Sequence, residues 1–319
     1  MVKVAFVGCG AMMRKHAGYL SNLEKVKLVG HCDLVRARAE RAAHDFGGEA
    51  FSDNIEMYDR VRPDAVYVAV PPAAHGPIEV TAAERSIHLF IERPVALDRA
   101  TAKRVSAAIR HAGVIASVGY CHRYSETVSL ARTMLKGKAV SLVSGLCTAA
   151  FQEDGWRRKK SISGGHLIEY ATPCIDLLRH WCGEVAEVYA TSSNGAVARQ
   201  GEDDIDDSSA LALRMKNGAA AMIACSCVMH HSVCARLEVL TPDSTFLFDG
   251  ASLRVTEPEK TTEYYPATDM YAEENRVFIE AVRSRTPGKI RSTYADAVKT
   301  LHVACAANES IQSGIPVKP

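Results

Sequence analysis

The stretch Val4-Ala5-Phe6-Val7-Gly8-Cys9-Gly10-Ala11-Met12-Met13 decides the fold of this chain of 319 residues. Its four apolar residues predict a buried β-strand, and two closely spaced glycines follow at once. Such glycines allow a tight turn into a helix, and they let backbone N–H groups approach a pyrophosphate at the helix N-terminus. Met13 occupies the third glycine position of the usual pattern. The segment predicts a nucleotide-binding turn with contacts from Gly8, Gly10, Ala11, Met12 and Met13.

Asp33 supports the nucleotide-binding interpretation. It ends the second predicted strand, 20 residues after Met13, where an acidic side chain can hold the adenine ribose hydroxyls. A carboxylate there repels a 2′-phosphate, so we expect NAD rather than NADP as the cofactor. Arg36 and Arg38 lie close enough in sequence to soften that preference, or they are plain exposed helix residues.

The first 119 residues alternate between β-rich runs and amphipathic helical stretches, which predicts an α/β domain. The predicted strands span 4–7, 27–33, 65–70, 88–92 and 114–118. The predicted helices span 11–23, 35–46, 76–85 and 98–112. We expect a Rossmann domain over 1–119, built on a doubly wound parallel sheet.

The second half, 120–319, changes character because several strands follow one another without intervening helices. They span 140–149, 185–192, 208–215, 219–227, 233–240 and 245–248, and Asn217-Gly218 is a strong hairpin signal. Helices are predicted near 124–135, 270–284 and 293–313. We expect an α+β domain for substrate binding and oligomerisation, with an open, mainly antiparallel sheet. Its closing helices are expected to pack back on the body of the protein.

The composition excludes several classes of protein. Lys and Arg total 38 against 37 Asp and Glu, which argues against nucleic-acid or anionic-membrane binding. A β-type run begins at Val2, so no signal peptide is expected, and ten scattered cysteines do not suggest a disulfide framework. We therefore expect a cytoplasmic protein. An open sheet needs cover for its outer face, so we expect a homodimer or homotetramer that uses Leu211, Leu213 and Met222.

Several motifs point to one family. They are Val70-Pro71-Pro72-x-x-His75, Glu92-Arg93-Pro94, Gly119-Tyr120-x-x-Arg123-Tyr124, Ser163-Gly164-Gly165 and Asp176-Leu177-Leu178-Arg179. With these motifs the chain resembles the glucose–fructose oxidoreductase/inositol dehydrogenase (Gfo/Idh/MocA) family along nearly its whole length. The resemblance implies a substrate, often a sugar or polyol, bound between a Rossmann domain and an open-sheet domain and oxidised or reduced by NAD(P). Further cofactor contacts are expected at Pro71, Pro72, His75, Glu92 and Arg93. Substrate contacts are expected at Tyr120, Arg123, Trp156, Lys159 and Tyr170.

Two departures from the family concern proton transfer. Members usually have Glu-Lys-Pro, and an Asp followed four residues later by a His, where this chain has Arg93, Glu169 and Pro173. Hydride transfer at an alcohol carbon requires a proton to leave or arrive. Arginine stays charged, so Arg93 is expected to orient the substrate or stabilise an oxyanion, and Pro173 has no side-chain proton to offer.

His166 is the predicted replacement for the missing acid–base group. It lies three residues before Glu169, on the same face if one helix runs through both, and Glu169 would orient it. Alternatively, His166 is a polar residue at a helix start and Glu169 a partner of the helix dipole. Thr172-Pro173 leaves open a fresh helix beginning there, and Tyr170, Lys159 and Lys160 are less favoured proton donors.

Two further clusters have both functional and structural interpretations. The run Trp156-Arg157-Arg158-Lys159-Lys160 resembles a family segment that closes over substrate, and it is otherwise an exposed basic loop. Cys225-x-Cys227 with His230-His231 and Cys234 invites a metal interpretation, but the spacing is not that of a zinc site. Packing of small cysteines on a sheet face is favoured, and no metal is expected.

Together these observations predict an NAD-dependent oxidoreductase that transfers hydride to or from a hydroxyl or carbonyl carbon of a polar, cyclic substrate. Two alternatives remain open. One is a lyase, epimerase or hydrolase-like enzyme that oxidises its substrate transiently with bound NAD. The other is a nucleotide-binding protein that has lost redox catalysis.

Overall fold

The computed structural model describes residues 1–150, 155–196, 203–229 and 233–319. The chain divides into two compact units. Unit 1 comprises Met1–Ala96, Ala100–Cys121 and Met270–Ala297. Unit 2 comprises Leu97–Arg99, His122–Asp269 and Val298–Pro319.

Unit 1 is built on a six-stranded parallel sheet in the order β3-β2-β1-β4-β5-β6. The strands are β1 (Val2–Val7), β2 (Val26–Cys32), β3 (Glu49–Phe51), β4 (Ala65–Val68), β5 (His88–Ile91) and β6 (Ala116–Val118). The helices between them are α1 (Ala11–Ser21), α2 (Arg36–Phe46), α3 (Asn54–Val61), α4 (Pro77–Glu84) and α5 (Arg99–Ala112). This order confirms the predicted doubly wound Rossmann sheet.

A second sheet, in unit 2, has the order β14-β13-β12-β11-β7-β10-β9-β8 among the described residues. Its strands are β7 (Leu142–Ala150), β8 (Val185–Ser193), β9 (Ser208–Met215), β10 (Ala220–Met229), β11 (Val233–Leu240), β12 (Thr245–Phe248), β13 (Leu253–Glu257) and β14 (Lys260–Tyr264). The pair β7 and β10 is parallel and the other pairs are antiparallel, which confirms a mainly antiparallel sheet. The hairpin from β9 to β10 turns at Asn217-Gly218, where Gly218 has φ +90°.

The remaining helices are α6 (Glu126–Leu135), α7 (Lys160–Ser163), α8 (Thr172–Cys182), α9 (Met270–Ser284) and α10 (Tyr294–Ser313). Helix α9 completes the core of unit 1. Its Phe278 ring meets Tyr67 and Phe90 edge-on, each at 5.5 Å, and those two rings stack at 4.5 Å. A segment from the end of the chain therefore fills one face of the N-terminal sheet.

The outer face of the second sheet differs from the predicted one. Leu211 and Leu213 are only 2% and 4% exposed, so they lie on the covered face of the sheet. The prediction that they form the contact surface between two copies is therefore wrong. Alternate residues of a strand face opposite sides, and the even-numbered positions of β9 are the exposed ones. Met222 is 53% exposed and pairs with Ala212 across the strands, so it does lie on the outer face.

In the described part of the chain, no helix combines the length and apolar character needed to cross a bilayer. Nine cysteines are described with their side chains, and all nine are free thiols.

Candidate active site

The turn after β1 is shaped by its glycines. Gly8 has φ +88°, and a Cβ built on it would lie 2.2 Å from the carbonyl oxygen of Ala69, so a side chain has no room there. Gly10 caps α1, and a Cβ on it would meet nothing within 4 Å. The first turn of α1 carries no acidic residue, so its N–H groups remain available to an anion. Met13 is fully buried in the core, which leaves only its backbone for a ligand.

Asp33 is tied to this turn. One carboxylate oxygen accepts a hydrogen bond from Cys9 N–H at 2.8 Å, and the other accepts one from Val35 N–H at 2.8 Å. Each oxygen keeps a second lone pair for a ribose hydroxyl. The next residue, Leu34, is 94% exposed, so its side chain is available for apolar contact with the adenine base. It was not among the candidates predicted from the sequence. Arg36 bonds Glu40 one helical turn away, at 3.1 Å.

The residues after β4 that were predicted to contact the cofactor also take part in local packing and capping. Pro72 is buried and begins a short 3₁₀ turn, Pro72–Ala74, while Pro71 is half-buried. His75 is 3% exposed and bonds Glu79 through Nδ1, and Glu79 also accepts the Gly76 N–H at 2.6 Å. This arrangement caps α4, so a direct cofactor contact by His75 stays a prediction.

Glu92 directly follows β5 and is 8% exposed. Its carboxylate lies 2.7 Å from Nε2 of His16 and accepts the backbone N–H of Arg93 at 3.3 Å. A Cβ on Gly119 would approach the same carboxylate to 2.8 Å, so a side chain there would displace the Glu92 carboxylate. The sequence predicted Glu92 and Arg93 here, but it gave no sign of His16.

Tyr120 and Arg123, the substrate contacts predicted near the domain junction, are 3% and 5% exposed. Arg123 donates two hydrogen bonds of 2.7 Å to Asp176, which also accepts one from Thr300 at 3.0 Å. Burial raises the pKa of Asp176, and the Arg123 guanidinium opposes that shift. Any substrate that used Arg123 would have to compete with a buried bidentate ion pair.

The backbone around His166 departs from a regular helix. Helix α7 ends at Gly164, with φ +77°, and a π-helical stretch over Leu167–Ala171 runs directly into α8. Pro173 has no N–H to donate to the carbonyl four residues earlier, which favours this wide turn. The helix therefore continues through Thr172, whose hydroxyl bonds the carbonyl of Ile168 at 3.1 Å, and does not begin afresh there.

His166 itself is 1% exposed, and its Nε2 lies 2.8 Å from the hydroxyl of Ser209 on β9. Burial lowers the pKa of His166 to about 4; nearby Lys160 lowers it further, while Asp206 and Asp207 oppose the shift. The imidazole is therefore neutral near pH 7 and a weak base. Nothing in the sequence pattern pointed to Ser209.

The basic run is matched by carboxylates. Arg157 lies 3.5 Å from Glu169 and stacks over Trp156 at 4.3 Å, so the structure brings three predicted residues together. Arg158 pairs with Asp203, and Lys160 pairs with Asp206 at 3.1 Å. Glu169 is 7% exposed, while Lys159 and Tyr170 are half-buried. These pairs offset much of the positive charge of the basic run.

The cysteine cluster gives no support to a metal site. Cys225 and Cys227 are buried, and burial raises the pKa of Cys227 to about 12. His230, His231 and the side chain of Cys234 lie outside the described residues. Elsewhere, among the residues whose placement is described, no group of three potential ligands is arranged to hold a metal ion.

The two glycines of the turn should respond differently to alanine. Gly8→Ala should destabilise the protein, because its Cβ would overlap Ala69 and φ is positive. Gly10→Ala should cost no more than about 1 kcal/mol as a cap change, yet weaken NADH binding by blocking approach of the phosphates. Thermal melts and NADH fluorescence titrations separate the two effects. Unchanged NADH affinity in Gly10→Ala would contradict the assignment.

Burial of neutral His166 should make the protein less stable in mild acid. The pKa falls from 6.5 to about 4 on folding, so between these values the unfolded chain binds the extra proton. Stability should fall by up to about 3 kcal/mol as pH drops through that window. Urea unfolding near pH 7 and near pH 4.5 should show a smaller loss for His166→Gln than for wild type. His111→Gln, at an exposed histidine of α5, is the control and should keep the wild-type dependence.

Comparison with known proteins supports the family suggested by the motifs. Residues 2–120 match the oxidoreductase family model with the NAD-binding Rossmann fold, and residues 137–246 match the GFO/IDH/MocA C-terminal domain. The chain is 27% identical to scyllo-inositol 2-dehydrogenase (NAD(+)) of Bacillus subtilis, covering 99% of this chain and 96% of the relative. It is 25% identical to 2,7-anhydro-N-acetylneuraminate hydratase of Escherichia coli, covering 64% of this chain and 57% of that protein.

A solved structure has the same fold. The complex of levoglucosan dehydrogenase with NADH and levoglucosan superposes with a TM-score of 0.90 at 21% identity, covering 99% of this chain and 98% of that one. The two matching family models together span more than half of the sequence. The chain therefore belongs to the GFO/IDH/MocA family of NAD-binding oxidoreductases.

Proposed function

We propose that this oxidoreductase transfers hydride to or from a hydroxyl or carbonyl carbon of a cyclic polyol or sugar. The observation that carries the proposal is the turn at Gly8 and Gly10 with Asp33 bonded to it, in a chain of this family. Relatives named for inositols and levoglucosan suggest a polyhydroxylated ring as the substrate.

The residues of unit 1 fit a dinucleotide. The N–H groups at the start of α1 suit a pyrophosphate, and the spare lone pairs of Asp33 suit ribose hydroxyls. When bound, NAD supplies the hydride acceptor or donor. Asp33 has a negative charge where NADP carries its 2′-phosphate, which supports a preference for NAD.

Proton transfer is assigned to Glu169 rather than to His166. Arg93 cannot be deprotonated and Pro173 has no side-chain proton. His166 is neutral, buried and hydrogen-bonded to Ser209. We therefore propose that it has a structural role and holds the π-helical turn in place. Glu169, at the position of the family's Asp, supplies a carboxylate with Arg157 as its partner. This revises the first choice made from sequence spacing.

An enzyme that oxidises its substrate only transiently is the second candidate. It is favoured by the replacement of the family's Lys and His by Arg93 and Pro173 and by the similarity to a hydratase. Such an enzyme would convert substrate without net formation of NADH, whereas a dehydrogenase forms one NADH for each substrate molecule oxidised.

The test is incubation with NAD and a panel of inositols and anhydrosugars, in which NADH absorbance and product mass are followed together. Glu169→Gln should lower turnover by about a hundredfold or more, with NADH affinity unchanged. Glu187→Gln, at a half-buried carboxylate of β8 that pairs with Arg214, is the matched control. Product without NADH would support the transient mechanism, and NADP preferred tenfold would contradict the role of Asp33. Near-normal turnover of Glu169→Gln, together with a large loss of turnover in His166→Ala, would assign proton transfer to His166 instead.

We also propose the division of labour between the two parts of the chain. Residues 1–119 would bind NAD, helped by α9, and 120–319 would bind substrate and form the oligomer. The nine free thiols support a reducing compartment, and hence the cytoplasm.

A homodimer or homotetramer is proposed from the outer face of the second sheet. Met222 and Tyr189 are 53% and 41% exposed there, beside the small side chains of Ala210 and Ala212. A second copy could cover this flat apolar surface. Met222→Glu should lower the molar mass measured by light scattering, while Ile55→Glu, at another exposed apolar residue, should not. A monomeric wild-type protein at micromolar concentration would contradict the proposal.

A further inference from the structure

A buried chain of hydrogen bonds in unit 1 joins α9, α1 and the end of β5. Asn275 on α9 and His16 on α1 are both 0% exposed, and Glu92 is 8% exposed. Nε2 of His16 lies 2.7 Å from a carboxylate oxygen of Glu92. Nδ1 of the same ring lies 2.9 Å from Nδ2 and 3.1 Å from Oδ1 of Asn275. Neither His16 nor Asn275 has a part in the function described so far.

The amide of Asn275 holds the imidazole at its other nitrogen. Its Nδ2 donates one hydrogen bond to the carbonyl of Tyr271 at 2.7 Å, which orients the amide. Both polar atoms of this amide are within hydrogen-bond distance of Nδ1 of His16. An ionised carboxylate only accepts hydrogen bonds, so the 2.7 Å contact with Glu92 is made by a proton on Nε2. A hydrogen bond donated to a carboxylate favours its charged form.

The carboxylate of Glu92 has little freedom to move. The His16 ring is packed against Phe90 at 4.9 Å and Tyr67 at 5.4 Å. On the other side, Gly119 is so close that an added Cβ would lie 2.8 Å from Glu92. The backbone N–H of Arg93 reaches the second carboxylate oxygen. Glu92 is thus held at both carboxylate oxygens, by the His16 ring and by the Arg93 backbone.

The strand order relates Glu92 to the cofactor. Asp33 follows β2, which assigns the adenosine half of a dinucleotide to β1, β2 and β3. In a sheet of this order the other half of the dinucleotide, which carries the nicotinamide, binds at the ends of β4, β5 and β6. Glu92 directly follows β5, so we expect its carboxylate to lie beside the nicotinamide half of the cofactor.

We propose that Asn275 and His16 are positioning residues that keep Glu92 a fixed carboxylate beside the nicotinamide half, so that the protein favours NAD⁺ over NADH. The oxidised ring is positively charged and the reduced ring is neutral, so a nearby negative charge stabilises only the former. The proposal rests on NAD being the cofactor. The positive charges of Arg93, which follows Glu92 in sequence, and of Lys15, which lies over the Tyr271 ring, are kept in every variant of Glu92, His16 and Asn275.

The test is calorimetric titration of the full-length protein with NAD⁺ and, separately, with NADH. Glu92→Gln keeps the size of the side chain and removes its charge. This substitution should weaken the affinity for NAD⁺ by on the order of tenfold and change the affinity for NADH by less than about twofold. His16→Phe and Asn275→Leu, which remove the donor and its orienting partner, should shift the ratio of the two affinities in the same direction by a smaller factor.

Two variants separate positioning from general loosening of the core. His16→Gln restores an N–H near the place of Nε2 and should recover most of the wild-type ratio. His31→Phe makes the same change as His16→Phe at another fully buried histidine, on β2, and should leave the ratio unchanged. If His16→Phe fails to fold, Glu92→Gln and Asn275→Leu still decide the matter.

Equal weakening of NAD⁺ and NADH in Glu92→Gln, or an unchanged ratio, would overturn the proposal while leaving NAD binding intact. Failure of wild-type protein to bind either form would overturn this inference together with the proposed function.

Discussion

The close approach of Gly8 to the end of β4 is the constraint on which the nucleotide site depends. The turn passes the carbonyl of Ala69 so closely that not even one side-chain carbon fits. This contact sets the direction in which the chain leaves β1, and so where the first N–H groups of α1 point. Asp33 then fixes the same turn from the other side through Cys9. The proposed phosphate and ribose sites are therefore parts of one hydrogen-bonded arrangement.

The order of the N-terminal elements could be predicted because each strand buried on both faces is a continuous apolar run. Val66 to Val68 illustrate this pattern, and the structure has β4 there. Strand β3 and helix α3 were missed, since three and eight residues are too short to establish a period. On β9 the alternation was visible, but it does not say which face is covered. Leu211 and Leu213 were consequently assigned to the wrong side.

The candidate catalytic residues were harder to predict because their environment comes from distant parts of the chain. His166 has a favourable spacing to Glu169, but its state is determined by burial and by Ser209, 43 residues later in sequence. The charges of Arg158 and Lys160 are matched by Asp203 and Asp206. Local spacing indicates which residues can face one another within an element, and it cannot reveal partners on another strand or loop.

Helix α9 has a consequence for the way the protein is made. Phe278 meets the Tyr67 and Phe90 rings only after the ribosome has added about two hundred further residues, which takes roughly ten seconds or more at cellular elongation rates. During that interval the nascent nucleotide-binding half exposes the part of this aromatic surface that α9 covers in the native state. The unfinished chain is thus exposed to premature association until α9 has been made.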